Sequence, residues 1–329
     1  MHCMLDKLPL ELLELICDEL DTHDLASLLG TCRHTYHRTI HRLAQRYSEI
    51  HLDFSKGSLN QIHAIANNEI MRQQVQRLVV MAPEPFLGRN LEWQRSAAGH
   101  ILNPLTIPTI RQLRNDLVDK LINCRSFVIS PLGNHPAPGE DSLDVSDDQQ
   151  FHPDDAASIL LEIIADAALP VKLFWYGRGM DYTADIMNTQ RLPKTLFLSP
   201  SFRAGWGALT NLHLEHKLTP YNYSFLLNML LHTPNLRKLY LSLAPKELAI
   251  EFYAHVAKSD ALSGVLERVS LCCTCIRGSD LMQILERSRH TLRELSLTEV
   301  GGPSGGLTQL HDQLSGFPSL AKVDCNMCA

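Results

Sequence analysis

The sequence predicts an α/β fold in which short parallel strands alternate with helices in repeating units, behind three short helices at the N-terminal end. Two patterns lead there: an amphipathic leucine-rich run over the first 46 residues, and an L-x-x-L-x-L motif that recurs through the second half of the chain. Composition permits it. A chain of 329 residues with 45% hydrophobic and 20% charged residues has ample material for a core.

The helices come first, in "LDKLPLELLELICDELDTHDLASLLGTCRHTYHRTI". Leu8, Leu12, Ile16 and Leu20 recur every four residues and Leu13 and Leu15 widen the stripe, as a buried helix face requires. Pro9 suits a first helical turn, where the missing N–H costs nothing. After the "DTHD" break, Asp24 is placed to cap a second helix carrying Leu25, Leu28 and Leu29, and Gly30 offers it an end. A third helix carries Tyr36, Ile40 and Leu43 on one side, with Arg33, Arg38, Arg42 and Arg46 making the other side basic. Three helices in about 45 residues bury too little surface to stand alone, so a partner or the following domain must cover part of them.

The strands follow. The motif appears as "LTNLHL", "LRKLYL", "LERVSL", "LRELSL" and "LAKVDC", centred on Leu212, Leu239, Val269, Leu295 and Val323, in steps of 27, 30, 26 and 28 residues. Between them lie helical patterns such as "YSFLLNMLLHT", "KELAIEFYAHVAKS", "SDLMQILERSRHT" and "LTQLHDQLSG", with Asp280 in place as a cap or first-turn acid. Strand alternating with helix favours parallel pairing. Upstream the pattern loosens to "YSEIHL", "VQRLVV", "CRSFVI" and "VKLFW", read as Tyr47/Ile50/Leu52, Val75/Leu78/Val80, Cys124/Phe127/Ile129 and Leu173/Trp175. The longer steps there predict insertions near 82–106 and 131–153, within a repeat domain spanning 47–329 behind a helical module of 1–46.

Charge and cysteine usage narrow the class of protein. A net charge of −6 without clustered Lys and Arg argues against nucleic acid as a partner. No basic leader and no apolar run of roughly 18 residues is present, so no membrane partner is expected and the chain reads as soluble, cytoplasmic or nuclear. Nine scattered cysteines fit reduced thiols better than a disulfide framework. From Ser126 to Val171 there are nine Asp or Glu and no Lys or Arg, a local negative field in which Ser142 and Ser146 are candidate phosphorylation sites.

The ordered set Leu8-Pro9-x-Glu11-Leu12-Leu13-x-x-Ile16, then Leu20, Asp24-Leu25-x-x-Leu28 and Cys32-Arg33, resembles the F-box. Followed at once by degenerate leucine-rich repeats, the whole chain resembles the F-box and leucine-rich-repeat proteins common in filamentous fungi. That resemblance implies an irregular solenoid with a parallel strand-lined face, and a non-enzymatic, cofactor-free substrate receptor of an SCF-type ubiquitin ligase. Leu8, Pro9, Leu12, Ile16, Leu20, Leu25 and Leu28 would then contact the Skp-type adaptor, and through it cullin, or support that contact. The repeats would select an unknown protein target. An F-box scaffold without a ligase role, and a solenoid whose first helices are a terminal cap, are the alternatives.

Strand alternation carries the reading to the target face. If Leu212 and Leu214 point inward, Asn211, His213 and Glu215 line the face, as do Lys238, Tyr240 and Ser242, and Arg268, Ser270 and Cys272. In the irregular half the same rule turns out Val79, Val128, Phe174 and Tyr176. Phe174, Tyr176, His213, Tyr240 and Arg268 are therefore the candidate target contacts, with extra core beneath the insertions as the other reading of the two aromatics of the irregular half.

Three motifs invite chemistry. "GGPSGG" contains G-x-S-x-G around Ser304, but only His311 and Asp312 follow, in the wrong order for a hydrolase, so a serine hydrolase is the rival from another class. Cys272, Cys273, Cys275, Cys325 and Cys328 invite zinc, although their register favours core thiols and no metal is expected. "GRGMD" lacks the remaining glycine of a dinucleotide loop.

Overall fold

The computed structural model describes residues 7–81, 87–88, 91–97, 99–130, 151–177, 191–193, 195–259, 262, 264–302 and 313–326. The chain opens with α1 (Leu10–Glu19), α2 (Thr22–Leu29) and α3 (Arg33–Gln45). Asp21, not Asp24, caps α2: its carboxylate accepts from the Asp24 amide at 2.7 Å, and Asp24 lies inside the first turn, where a negative charge faces the free N–H groups. Cys32 caps α3 through its sulfur, which accepts from the Thr35 amide at 3.4 Å. Cys17, Leu25, Leu29, Ile40 and Leu43 make the small core of this cluster. Arginines on α3 tie it to α1: Arg38 donates to the Leu8 carbonyl at 3.0 Å, and Arg46 to the carbonyls of Cys17 and Leu20 at the end of α1. The last two carbonyls have no partner within their helix, and a cation suits that end of the dipole.

Behind the cluster the described residues form nine strands: β1 (Glu49–Leu52), β2 (Arg77–Val80), β3 (Ser126–Ile129), β4 (Leu173–Tyr176), β5 (Asn211–Lys217), β6 (Lys238–Ala244), β7 (Arg268–Cys275), β8 (Glu294–Gly301) and β9 (Lys322–Asn326). They form one sheet in chain order, and every neighbouring pair is parallel. Parallel neighbours need a crossover, and helices lie in the connections: α4 (Lys56–Asn67), α5 (Glu69–Gln74), α6 (Pro108–Asn115), α7 (Pro153–Ala167), α8 (Pro200–Trp206), α9 (Tyr223–Leu231), α10 (Lys246–Lys258) and α11 (Gly278–Glu286). The chain is thus a mixed α/β protein on an all-parallel sheet.

Two inward rows run the length of the sheet. One joins Ile50, Leu78, Phe127, Phe174, Leu212, Leu239, Val269, Leu295 and Val323; the other joins Leu52, Val80, Ile129, Tyr176, Leu214, Leu241, Leu271, Leu297 and Cys325. Helices α4, α7 and α10 pack against this side, and nearly all of both rows is buried. At the far end Val323 and Cys325 of β9 are exposed. Tyr47 and Met71 touch both this core and the small helical one, joining the two.

The phase of β4 corrects the sequence reading. Phe174 and Tyr176 point inward, 0% and 3% exposed, and Leu173 and Trp175 point to the strand-lined face. Every residue of Leu-Phe-Trp-Tyr is apolar or aromatic, so alternation within β4 carries no phase; its neighbours set it. Val79 and Val128 do share the strand-lined row with Trp175, yet both are buried.

Beyond β2, the residues around Arg95 and Gly99 are clamped to α7 by charge. Asp155, fully buried in the first turn of α7, accepts a two-pronged contact from Arg95 at 2.7 and 2.8 Å, one hydrogen bond from Arg191 at 2.9 Å, and the His152 amide at 2.9 Å. The carboxylate oxygens of this buried side chain are thus met by charged donors and a backbone amide. Glu162, two turns along, is not so supplied: burial pushes its pKa up to about 7, with His100 at 3.9 Å. Because that folded value exceeds the unfolded one, the cost of ionising Glu162 is absent below about pH 4.5 and complete above about pH 7, reaching about 3 kcal/mol. Glu162→Gln is therefore expected to raise the urea midpoint at pH 8 and leave it nearly unchanged at pH 4.

Candidate functional site

Two surfaces stand out, one on each part of the chain. The first is the open side of α1. Leu13 and Cys17 are buried, and Glu14 meets Arg42 of α3 at 2.8 Å and His41 at 3.1 Å, so that half of the helix is closed. The Arg42 guanidinium holds the Glu14 carboxyl below its ordinary range. The other half carries Leu12, Leu15 and Ile16 at 49%, 61% and 37% exposure, with Leu10 also exposed. Among the other sequence candidates, Pro9 is exposed, Leu8, Leu20 and Leu28 are half-buried, and Leu25 lies wholly within the small core. Leu25 thus supports the surface and is not available to a partner. Of the four-residue stripe predicted to be a buried face, Leu12 and Ile16 are open and Leu8 and Leu20 half-buried, because α1 packs through Leu13 and Cys17. Leu15 belongs to this surface although the sequence pattern assigned it no contact.

The second surface is the strand-lined face around β4 to β8. Register sets Trp175, His213 and Tyr240 side by side on adjacent strands. Their rings stack: Trp175 on His213 at 4.3 Å and 23°, His213 on Tyr240 at 3.8 Å and 17°. His213 is held further by Glu215, its Nε2–H donating to Oε1 at 2.6 Å. Burial lowers the His213 pKa more than Glu215 raises it, so the ring is neutral near pH 7. Gly177 gives Glu215 its place, since a Cβ there would lie 2.5 Å from the Glu215 Cβ. Beyond Tyr240 the side chains shrink to Ser270 and Ser296 in the same row and to Ser242, Cys272 and Thr298 in the next.

Trp175 takes the place that Phe174 and Tyr176 held in the sequence reading. Of the five predicted target contacts, His213 and Tyr240 come together in the stack, Arg268 is exposed one row below on β7, and the other two are core. The missed signal was Val171: aligned on it, V-K-L-F-W-Y gives Val171, Phe174 and Tyr176 as the three apolar positions, all buried.

Burial, with Glu215 and Cys272 adding, drives the Tyr240 hydroxyl well above its ordinary pKa. Cys273 is pushed up to about 12 by burial, Cys272 and Glu299, so it stays a thiol at neutral pH and is a poor nucleophile. Its sulfur lies 3.4 Å from that of Cys272 and donates to Glu299 at 3.3 Å. Cys273 and Glu299 both have left-handed backbone, φ +47° and +54°, and after them Thr274 and Val300 turn into the core. Among the described residues, the only group of three or more His, Cys, Asp or Glu side chains close enough together to share an ion is Asp21, His23 and Asp24, all exposed. Ser304, His311, Asp312, Cys328, Ser142 and Ser146 lie outside the described residues. No described helix is long and apolar enough to cross a membrane.

No protein-family model matches the chain, and no curated protein matches it.

If the stacked rings act as one unit, their energies couple. A double-mutant cycle of His213→Ala and Tyr240→Ala, followed by urea unfolding, is expected to give a coupling of about 0.5–1.5 kcal/mol. Additive losses would contradict the stack.

Proposed function

We propose that this chain is the substrate-receptor subunit of an SCF-type ubiquitin ligase: residues 1–46 an F-box that binds a Skp-type adaptor, and residues 47–329 an irregular leucine-rich-repeat solenoid that binds a protein target. One observation carries the reading. A helix whose closed side is packed and ion-paired exposes Leu12, Leu15 and Ile16 together, where the sequence resembles the F-box. Leaving such side chains in water costs free energy that a partner removes, at about 25 cal/mol per Å² of apolar surface covered. The sheet in chain order supports the second half of the reading, since strand after strand adds face without thickening the core. The aromatic stack offers rigid, half-buried rings of the kind that anchor protein interfaces. In this reading ubiquitin chemistry belongs to the partners, and the complex works in the cytosol or nucleus.

Co-purification tests it. Tagged full-length chain is expected to retain the Skp-type adaptor, and Leu12→Asp with Ile16→Asp to lose at least tenfold of it while the circular dichroism spectrum stays unchanged, because both side chains are already exposed. No adaptor on the native chain, or equal adaptor on the double variant, would overturn the reading. Cullin in the same eluate separates a ligase receptor from an F-box scaffold.

A further inference from the structure

The chain is acidic overall, yet the end of the sheet where its strands begin is cationic from β4 to β9. Lys172, Arg237 and Arg293 immediately precede β4, β6 and β8, and Lys238, Arg268 and Lys322 open β6, β7 and β9. All six are exposed. They form two adjoining rows. Lys238, Arg268, Glu294 and Lys322 are register partners in turn. Below them, backbone hydrogen bonds run in series from the amides of Thr210, Arg237, Glu267, Arg293 and Ala321 to the carbonyls of Lys172, Thr210, Arg237, Glu267 and Arg293.

The acids nearby do not cancel this charge. Glu267 pairs with Arg237 at 2.9 Å, Glu294 with Arg268 at 3.1 Å and Asp324 with Lys322 at 2.7 Å. Lys172, Lys238 and Arg293 have no carboxylate in ion-pair range among the described residues. Lys238 and Arg268 also stand directly side by side on neighbouring strands, an arrangement that costs stability in the free protein and that a bound anion relieves.

We infer that this rim binds an extended acidic segment of a partner protein. The inference deepens the receptor reading by giving the chemical class of the target. At about 4.8 Å per strand, the five steps from β4 to β9 span about 24 Å, the length of roughly seven residues of extended peptide. Carboxylates along such a segment meet Lys172, Lys238 and Arg293 and compete for the paired arginines. Nucleic acid fits less well. None of the residues forming the rim is aromatic, so none offers a ring on which a base can stack, and a chain of net charge −6 repels a long polyanion beyond the rim.

The test uses purified full-length chain and a display library of random dodecapeptides. The native chain is expected to enrich peptides rich in Asp and Glu, with affinities that fall as salt rises. The variant Lys172→Glu, Lys238→Glu, Arg293→Glu is expected to bind those same peptides at least tenfold more weakly with an unchanged melting temperature. The milder Lys238→Gln, Arg293→Gln pair, expected to weaken binding severalfold, serves if the triple variant does not fold. Enrichment of neutral or basic peptides, or equal binding by the folded variants, would overturn the inference. So would displacement of the peptides by a single-stranded dodecanucleotide that binds more tightly than they do, which would make the rim a nucleic-acid surface. Adaptor retention by the same preparations reports on the F-box reading alone, since the rim shares no residue with the open side of α1.

Discussion

Two rows of inward apolar side chains, running strand by strand from Ile50 to Val323 and from Leu52 to Cys325, are what the rest of the structure depends on. Each strand is too short to hold its place by backbone bonds alone; β1 to β4 have four residues each. Burying both rows under the crossover helices makes the register strict, because a slip of one residue would send every inward side chain into water. Once register is set, so is the opposite face. Trp175, His213 and Tyr240 meet because Phe174, Leu212 and Leu239 are bound to meet beneath them, and the cations at the strand starts line up for the same reason.

That dependence explains what could be read from sequence and what could not. In β5 to β8 the apolar positions alternate with polar ones, so strand location and face are legible residue by residue. In β4 apolar residues occupy both faces, and phase comes from outside the strand, from Val171 before it and from the neighbouring strands, so alternation within the strand alone turns Phe174 and Tyr176 outward and Trp175 inward. On α1 the stripe was correctly periodic but its burial was not readable, because Leu8, Leu12 and Ile16 compete with Leu13 and Cys17 for the same core, and packing against α3 decides. The Arg95, Asp155 and Arg191 clamp joins groups 60 and 36 residues apart, and no local pattern announces such a contact.

The two parts of the chain solve different problems. The sheet is closed on its helical side and presents a face of stacked rings, small hydroxyls and a cationic rim. The helical cluster has a core of its own, yet it leaves on α1 more exposed leucine than a finished surface needs. Arg46 ties the ends of α1 and α3, and Tyr47 and Met71, which touch both cores, join the cluster to the sheet. An adaptor on α1 and a target on the strand face would therefore be carried at a set geometry, which is what a receptor that delivers a target requires.

The central claim is that the open side of α1 is one half of an interface with a Skp-type adaptor. Amide hydrogen exchange of the full-length chain, with and without purified adaptor, tests it most directly. Amides within Leu10–Glu19 are expected to slow by at least tenfold on addition of adaptor while those of β5 to β8 do not change. Unchanged exchange in α1 at saturating adaptor, or protection confined to the sheet, would contradict it.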